Sequence, residues 1–250
     1  MTPRKNNIGL LLIMTNSIVS VVIPVYNHSE YTLSILNDIL NNSEVPNEII
    51  IIDNGSNDNT EKVISQFKKS LPIKYLKLKR NRGVNTAWNI GLTYAKSEII
   101  AVLNNDLVLN RYFFEVMRKT FNRYPECGML YSKTLHKAFD EEDISKYLEK
   151  VKNSEFSGVS PVSPAKYRMG WAFGVRKSLV KDIIIPKELF NYCGDDFQYL
   201  TIKKLGYSIL IMNQNLIFHH EGVTGKNTKL RDRMFEDTRV WDRIRPELEL

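Results

Sequence analysis

Two runs, Glu48-Ile-Ile-Ile-Ile-Asp53 and Ile99-Ile-Ala-Val-Leu103-Asn-Asn-Asp106, are apolar until they stop at carboxylate and amide residues, and they constrain the fold most. A strand wetted on one face alternates apolar and polar residues. A run apolar at every position belongs to a strand buried on both faces, as in a parallel sheet covered by helices. Ser17-Ile-Val-Ser-Val-Val-Ile-Pro24, ended by proline, and Ile73–Leu78 read as two more strands. Residues 29–41 carry Ile35, Leu36, Ile39 and Leu40 at helical spacing, with Ser29 as cap. Asp58 and Glu61 form a capping-box pattern for a second helix, and residues 84–96 read as a third. This βαβα order predicts an α/β fold: a mostly parallel central sheet with helices on both faces.

After about residue 110 the pattern changes. A helix at 111–122 and a strand at 127–132 precede a charged, Ser/Pro-containing stretch from Lys137 to Ala165. Strand-like Tyr167–Val175, a helix at about 195–205, and strand-like Tyr207–Met212 and Asn215–His219 follow. Leu230, Met234, Trp241 and Ile244 predict an amphipathic C-terminal helix over about 229–245. The 250 residues carry no repeat, so one domain over 16–250 is the simplest reading, its first half, about 16–110, being of nucleotide-binding type. Residues 1–15 are expected to be a disordered or loosely packed leader. Their seven-residue apolar stretch, Ile8–Met14, is too short to span a membrane and has no small-residue cleavage site, and Met14 is an alternative start.

Lys plus Arg is 35 against 28 for Asp plus Glu, a net charge of +7 that suits anionic ligands such as nucleotides or anionic glycans. The basic residues are spread rather than blocked into a tail, so nucleic acid is not an expected partner. Cys127 and Cys193 lie far apart without CxxC spacing, which supports neither a disulfide framework nor a zinc site and suits a cytoplasmic setting.

In a parallel sheet the strand ends Pro24-Val25-Tyr26-Asn27, Asp53-Asn54-Gly55-Ser56 and Asn104-Asn105-Asp106 face one crevice, where open α/β sheets bind ligands. Oxygen donors there suit Mg²⁺ or Mn²⁺ holding a phosphate; as residues alone, they are equally an Asn-rich turn. Asn81-Arg82-Gly83-Val84-Asn85-Thr86-Ala87-Trp88-Asn89-Ile90-Gly91 is a glycine-punctuated helix start, suited to hold a phosphate through backbone N–H groups and the helix dipole. No GxGxxG follows the first strand and no GxxxxGK[ST] occurs, which argues against a dinucleotide-binding dehydrogenase and a P-loop NTPase.

These blocks, in this order, resemble family 2 glycosyltransferases with the GT-A fold, and the Leu103-Asn-Asn-Asp106 version resembles the rhamnosyltransferase-like branch. Gly194-Asp195-Asp196-Phe197 resembles the family's Glu-Asp block, and His219-His220-Glu221-Gly222-Val223-Thr224 its late histidine block. The resemblance covers about residues 18–225 and implies an inverting, metal-dependent transferase. Such an enzyme moves a sugar from a nucleoside diphosphate sugar, UDP- or dTDP-linked, to a hydroxyl of a glycan or lipid-linked glycan. It further implies that Pro24, Tyr26, Asn27 and Asp53 frame the nucleoside and that Arg82 lies near the diphosphate. Asn104 and Asn105 would contact the donor, while Asp106 and His219 (rather than the adjacent His220) hold Mn²⁺ or Mg²⁺. Asp195 is the implied general base, and Asp196 and Trp171 lie on the acceptor side, in a half running over about 111–228. Asn104 stands where the family often has aspartate, and Gly194 where it has glutamate. Those departures are what a degenerate GT-A binding protein would carry; a sugar nucleotidyltransferase is the other alternative. The C-terminal helix is free in this reading to pack on the domain, a partner or a membrane surface.

Overall fold

A computed structural model describes residues 19–136, 143–155, 157–162, 170–220 and 228–249. The expected leader at 1–15 and Glu221–Thr224 lie outside these residues. The parallel half runs β1 (Val19–Val25), α1 (Ser29–Leu40), β2 (Glu48–Asp53), α2 (Thr60–Phe67), β3 (Ile73–Lys77), α3 (Val84–Tyr94) and β4 (Ile99–Leu103). The second half comprises β5 (Leu107–Leu109), α4 (Phe113–Arg123), β6 (Cys127–Leu135), α5 (Ser145–Lys152), β7 (Val159–Pro161) and β8 (Ala172–Arg176). It ends with α6 (Gly194–Lys204), β9 (Ser208–His219) and α7 (Thr228–Glu249). All nine strands form one sheet in the order β3-β2-β1-β4-β8-β6-β9-β5, with β7 paired to β9. β1 is parallel to both β2 and β4, and β2 to β3; β8 runs antiparallel between β4 and β6.

The unbroken apolar strands fill both faces of this sheet. Val21, Ile23, Ile49 and Ile51 pack with Ile35, Leu36 and Ile39 of α1, Ile64 and Phe67 of α2, and Phe113 and Phe121 of α4. Val22, Ile50 and Ile52 face the other way, onto Trp88 and Leu92 of α3, Ile202 of α6 and Trp241 of α7. Cutting any such Ile or Leu to alanine removes on the order of 2–5 kcal/mol. The α/β class and the helices on both faces therefore stand as read from the sequence.

Several local expectations do not. Pro24 does not end the first strand, which continues to Val25. β1 pairs with β4 only through Val22↔Val102, so the proline lies beyond that ladder, where its missing N–H leaves no bond unmade. Ser29 is not a cap: His28 precedes α1 in the left-handed region, and the Ser29 N–H donates to Asp58 Oδ2 at 3.0 Å. Nor does Asp58 form a capping box with Glu61. Its Oδ1 accepts the N–H and O–H of Thr60, while Glu61 pairs with Lys77 at 3.1 Å. The two strands expected at 207–212 and 215–219 are one strand, β9. The expected C-terminal helix packs on the domain through Trp241 and extends past 245 to Glu249.

Asp38 of α1 accepts the Leu109 N–H at 2.9 Å, and burial pushes its carboxyl from 3.8 up to about 6, against the opposing pull of that bond and of Lys152. The folded chain holds this proton more tightly than the unfolded one. The associated stability is complete below about pH 4 and is lost as pH rises through 6. Asp38→Asn keeps an acceptor for Leu109 and carries no charge. Its melting temperature is therefore expected to exceed that of the parent by about 2–5 °C at pH 7.5 and to match it at pH 4. An equal difference at both pH values would refute this assignment.

Candidate active site

The carboxyl ends of β1, β2 and β4 converge because the three strands run in one direction. The β1 and β2 ends are tied by short bonds. The Asn27 N–H donates to Ser56 Oγ at 2.8 Å, and Asn27 Oδ1 accepts the Asn57 N–H at 3.0 Å. Asp53 is fully buried, its Oδ1 accepting the Ser56 N–H at 2.7 Å and its Oδ2 the Tyr75 hydroxyl at 2.5 Å. Burial, then this carboxylate, raise the Tyr75 phenol above its ordinary value. Pro24 is buried beside Ile52, whereas the Tyr26 ring is exposed at the mouth.

The Asn81–Gly91 block does start a helix, but its N–H groups are not open to a phosphate. Asn54 Oδ1 accepts the Arg82 N–H at 2.8 Å, and Asn81 Oδ1 accepts that of Gly83 at 2.8 Å. Asn191 Oδ1 accepts the Val84 N–H at 3.0 Å, and the Phe190 carbonyl that of Asn85 at 3.3 Å. The first donors of α3 thus bind protein groups, and the Arg82 side chain beside them is exposed. Gly83 has φ +84°, and a Cβ there would lie 2.1 Å from the Phe190 oxygen, so this approach excludes other residues.

At the β4 end, Asp106 is 7% exposed, and its Oδ1 lies 3.3 Å from His219 Nε2. Among the described residues, Asp106 Oδ1, Asn104 Oδ1 and His219 Nδ1 are buried without a hydrogen-bond partner. The backbone aligns the pair: Leu107 stands opposite His219 in the β5–β9 ladder, and the His220 N–H donates to the Asp106 carbonyl at 3.0 Å. The His219 imidazole stands 3.3 Å from the Asp106 carboxylate, while the His220 ring packs against Tyr31 and Phe218. Asn105 turns onto α1, its Nδ2 donating to Thr32 Oγ1 at 3.1 Å.

Trp171 joins this end of the crevice to α6. Its ring stacks on His219 with centroids 5.1 Å apart, its Nε1–H donates to Thr134 Oγ1 at 3.0 Å, and its carbonyl accepts the Asn104 N–H at 2.8 Å. His136, which sequence reasoning did not single out, meets both the Trp171 and His219 rings edge-on. The preceding Gly170 lies so close to α6 that an added Cβ would stand 3.1 Å from Asp195 Cγ. Asp195 and Asp196 occupy the first turn of α6, where the helix dipole favours carboxylates. Gly194 leaves no room for a side chain, since a Cβ would meet Asn85 Oδ1 at 2.1 Å. The residues Asn54, Asn85 and Asn191 that knit these segments were also missed. An amide whose partners lie 28 to 107 positions away leaves no local signal.

This mixed sheet, with carboxylates gathered at the ends of its parallel strands, is the GT-A architecture. The crystal structure of S. aureus TarS 1-349 is similar with a TM-score of 0.64 at 18% identity, covering 81% of this chain and 60% of that one. The mannosyltransferase PcManGT from Pyrobaculum calidifontis, in complex with GDP-Man and Mn²⁺, gives 0.64 at 18% identity, covering 87% and 61%. The chain belongs to glycosyl transferase family 2, whose model matches residues 20–184. An uncharacterized glycosyltransferase of Rickettsia bellii is 32% identical over 146 residues, 58% of this chain and 20% of that protein. The poly-beta-1,6-N-acetyl-D-glucosamine synthase of Staphylococcus epidermidis is 34% identical over 110 residues, 44% of this chain and 27% of that protein. The chain thus spans about a fifth to a quarter of the length of these relatives. No helix among the described residues is long and apolar enough to cross a membrane.

Proposed function

We propose that this chain is an inverting glycosyltransferase that moves a sugar from a nucleoside diphosphate sugar to a hydroxyl of a glycan or lipid-linked glycan. The observation that carries this reading is the Asp106–His219 pair: a buried carboxylate oxygen without a hydrogen-bond donor, an imidazole 3.3 Å away, and a tryptophan stacked on that imidazole, at the carboxyl end of the parallel strands. Those donors fit Mn²⁺ or Mg²⁺. Among the described residues no group of three His, Cys, Asp or Glu could hold a metal, which suits an ion bound by one or two protein ligands and completed by substrate phosphates. A divalent ion held by Asp106 and His219 would neutralise charge on the leaving nucleotide.

The protein's own part is to bind, orient and take a proton. Tyr26 and Asn27 frame the nucleoside over buried Pro24 and over Asp53, whose carboxylate is turned to it by giving up its bond to Tyr75. Arg82 reaches the diphosphate, and Asn104 lines the donor side with the backbone of Asn105, whose side chain is held on α1. On the acceptor side, with Trp171 and Asp196, Asp195 accepts the hydroxyl proton as that oxygen bonds to the anomeric carbon. The bond from that carbon to the phosphate oxygen breaks with its electron pair, so the nucleoside diphosphate departs and configuration inverts. The resemblance to the rhamnosyltransferase-like branch favours a UDP- or dTDP-linked donor.

The test is thermal stabilisation by UDP, dTDP and GDP, each with and without Mn²⁺, followed by transfer assays with the stabilising nucleotide's sugars. UDP or dTDP is expected to stabilise chiefly when Mn²⁺ is present. A chain stabilised by no nucleotide and turning over no nucleotide sugar would sink the proposal.

A further inference from the structure

We infer that Asp237, in α7, is a positioning residue for the candidate base Asp195, an inference that rests on the reading of Asp195 proposed above. Asp237 is 1% exposed, and its carboxylate accepts three consecutive backbone N–H groups: Phe190 to Oδ1 at 2.8 Å, and Asn191 and Tyr192 to Oδ2 at 2.8 and 2.9 Å. Such charge-assisted bonds are roughly twice as strong as neutral ones. They hold a loop whose next residue, Cys193, has φ 59° and opens α6, with Asp195 two positions on.

The same loop is gripped from its other side by α3. Asn191 Oδ1 accepts the Val84 N–H, the Phe190 carbonyl accepts the Asn85 N–H, and the Asn85 amide donates to the Leu189 and Tyr192 carbonyls at 3.2 Å each. Asn54 extends the chain of bonds to the end of β2, donating to the Gly83 carbonyl at 3.0 Å. Asp237 thus closes a clamp that runs from the proposed nucleoside-binding strand to the start of the base helix. The carboxylate holds Phe190, Asn191 and Tyr192, whereas Asp106 and His219 are aligned by the β5–β9 ladder, so loosening Asp237 is expected to displace the base more than the proposed metal end.

The experiment compares Asp237→Asn with the parent chain. Asparagine keeps the shape and one oxygen, and loses the capacity to hold all three donors with full charge. The expected result is a split: kcat for transfer falls about tenfold or more, because displacing a catalytic group costs rate, while nucleotide affinity stays within about twofold. A second readout needs no turnover. Cys193 is half-buried, and burial together with Asp196, Asp195, Asp237 and Asp242 pushes its thiol up to about 12; the only other cysteine, Cys127, is fully buried. Labelling of Cys193 by a thiol reagent is expected to quicken several-fold in Asp237→Asn. Should that variant fail to fold, Asn191→Ala removes the Val84 acceptor from the opposite side and is expected to show the same split and the same faster labelling. Unchanged kcat and labelling, or kcat and nucleotide affinity falling together, would overturn the inference. Faster labelling in a chain that transfers no sugar would keep the clamp and refute the role of Asp195.

Discussion

Asp195→Asn is expected to lower kcat for sugar transfer by about 10³-fold, in the range found when a general base is removed, and to leave nucleotide affinity within about twofold. The side chain sits half-buried in the first turn of α6, against Gly170. A carboxamide of the same size occupies that place without strain but takes up no proton from an attacking hydroxyl. Steady-state kinetics and nucleotide titration on the same folded preparation separate the two effects. Asp196→Asn, on the proposed acceptor side, is the comparison: it is expected to raise the KM for acceptor and to leave kcat within about threefold. Full activity in Asp195→Asn, or equal losses in both variants, would remove Asp195 from the mechanism.

Asp106→Ala is expected to abolish the Mn²⁺-dependent part of nucleotide stabilisation and to reduce transfer by on the order of 10³-fold, several kcal/mol of transition-state charge stabilisation. Among the described residues, Asp106 holds the one carboxylate oxygen that is buried without a hydrogen-bond donor. Its loss leaves His219 and the amide of Asn104, a poorer donor set for a hard cation. The variant is expected to fold, because the β5–β9 ladder beside it is made by backbone groups. Nucleotide stabilisation that still depends on Mn²⁺ in Asp106→Ala would show that the ion is held elsewhere.

What could be read from the sequence was whatever periodicity or a strand end encodes. The unbroken runs at 48–53 and 99–103 announced a sheet buried on both faces, and two packed cores on either side of it bear this out. They also placed Asp53 and Asp106 at the crevice, because a strand that ends in a carboxylate puts it there. Pairings across long chain separations left no such trace. The start of α3 looked like a phosphate cradle because local pattern shows its free N–H groups but not the loop at 189–192 that occupies them. β5, α5 and β7 escaped because three- to eight-residue elements owe their form to neighbours rather than to propensity. Asp237 carries no signal in the apolar spacing that marks the C-terminal helix. Its burial follows from the three backbone donors that meet it.

The position of β9 in the sheet also sets an order of assembly. β5, which directly follows Asp106, lies at the sheet edge and has β9 as its strand partner, and β9 is the last strand among the described residues. A chain emerging from the ribosome can therefore lay down β1 to β4 and the Asp53 side of the crevice long before residue 219 exists. The Asp106 end gains its facing strand and its histidine only when synthesis has passed that point. Long-range pairing of this kind is slow to form. The Asp106 end of the crevice is in this sense a late-closing seam, since the Asp106–His219 pair cannot form before β9 is made.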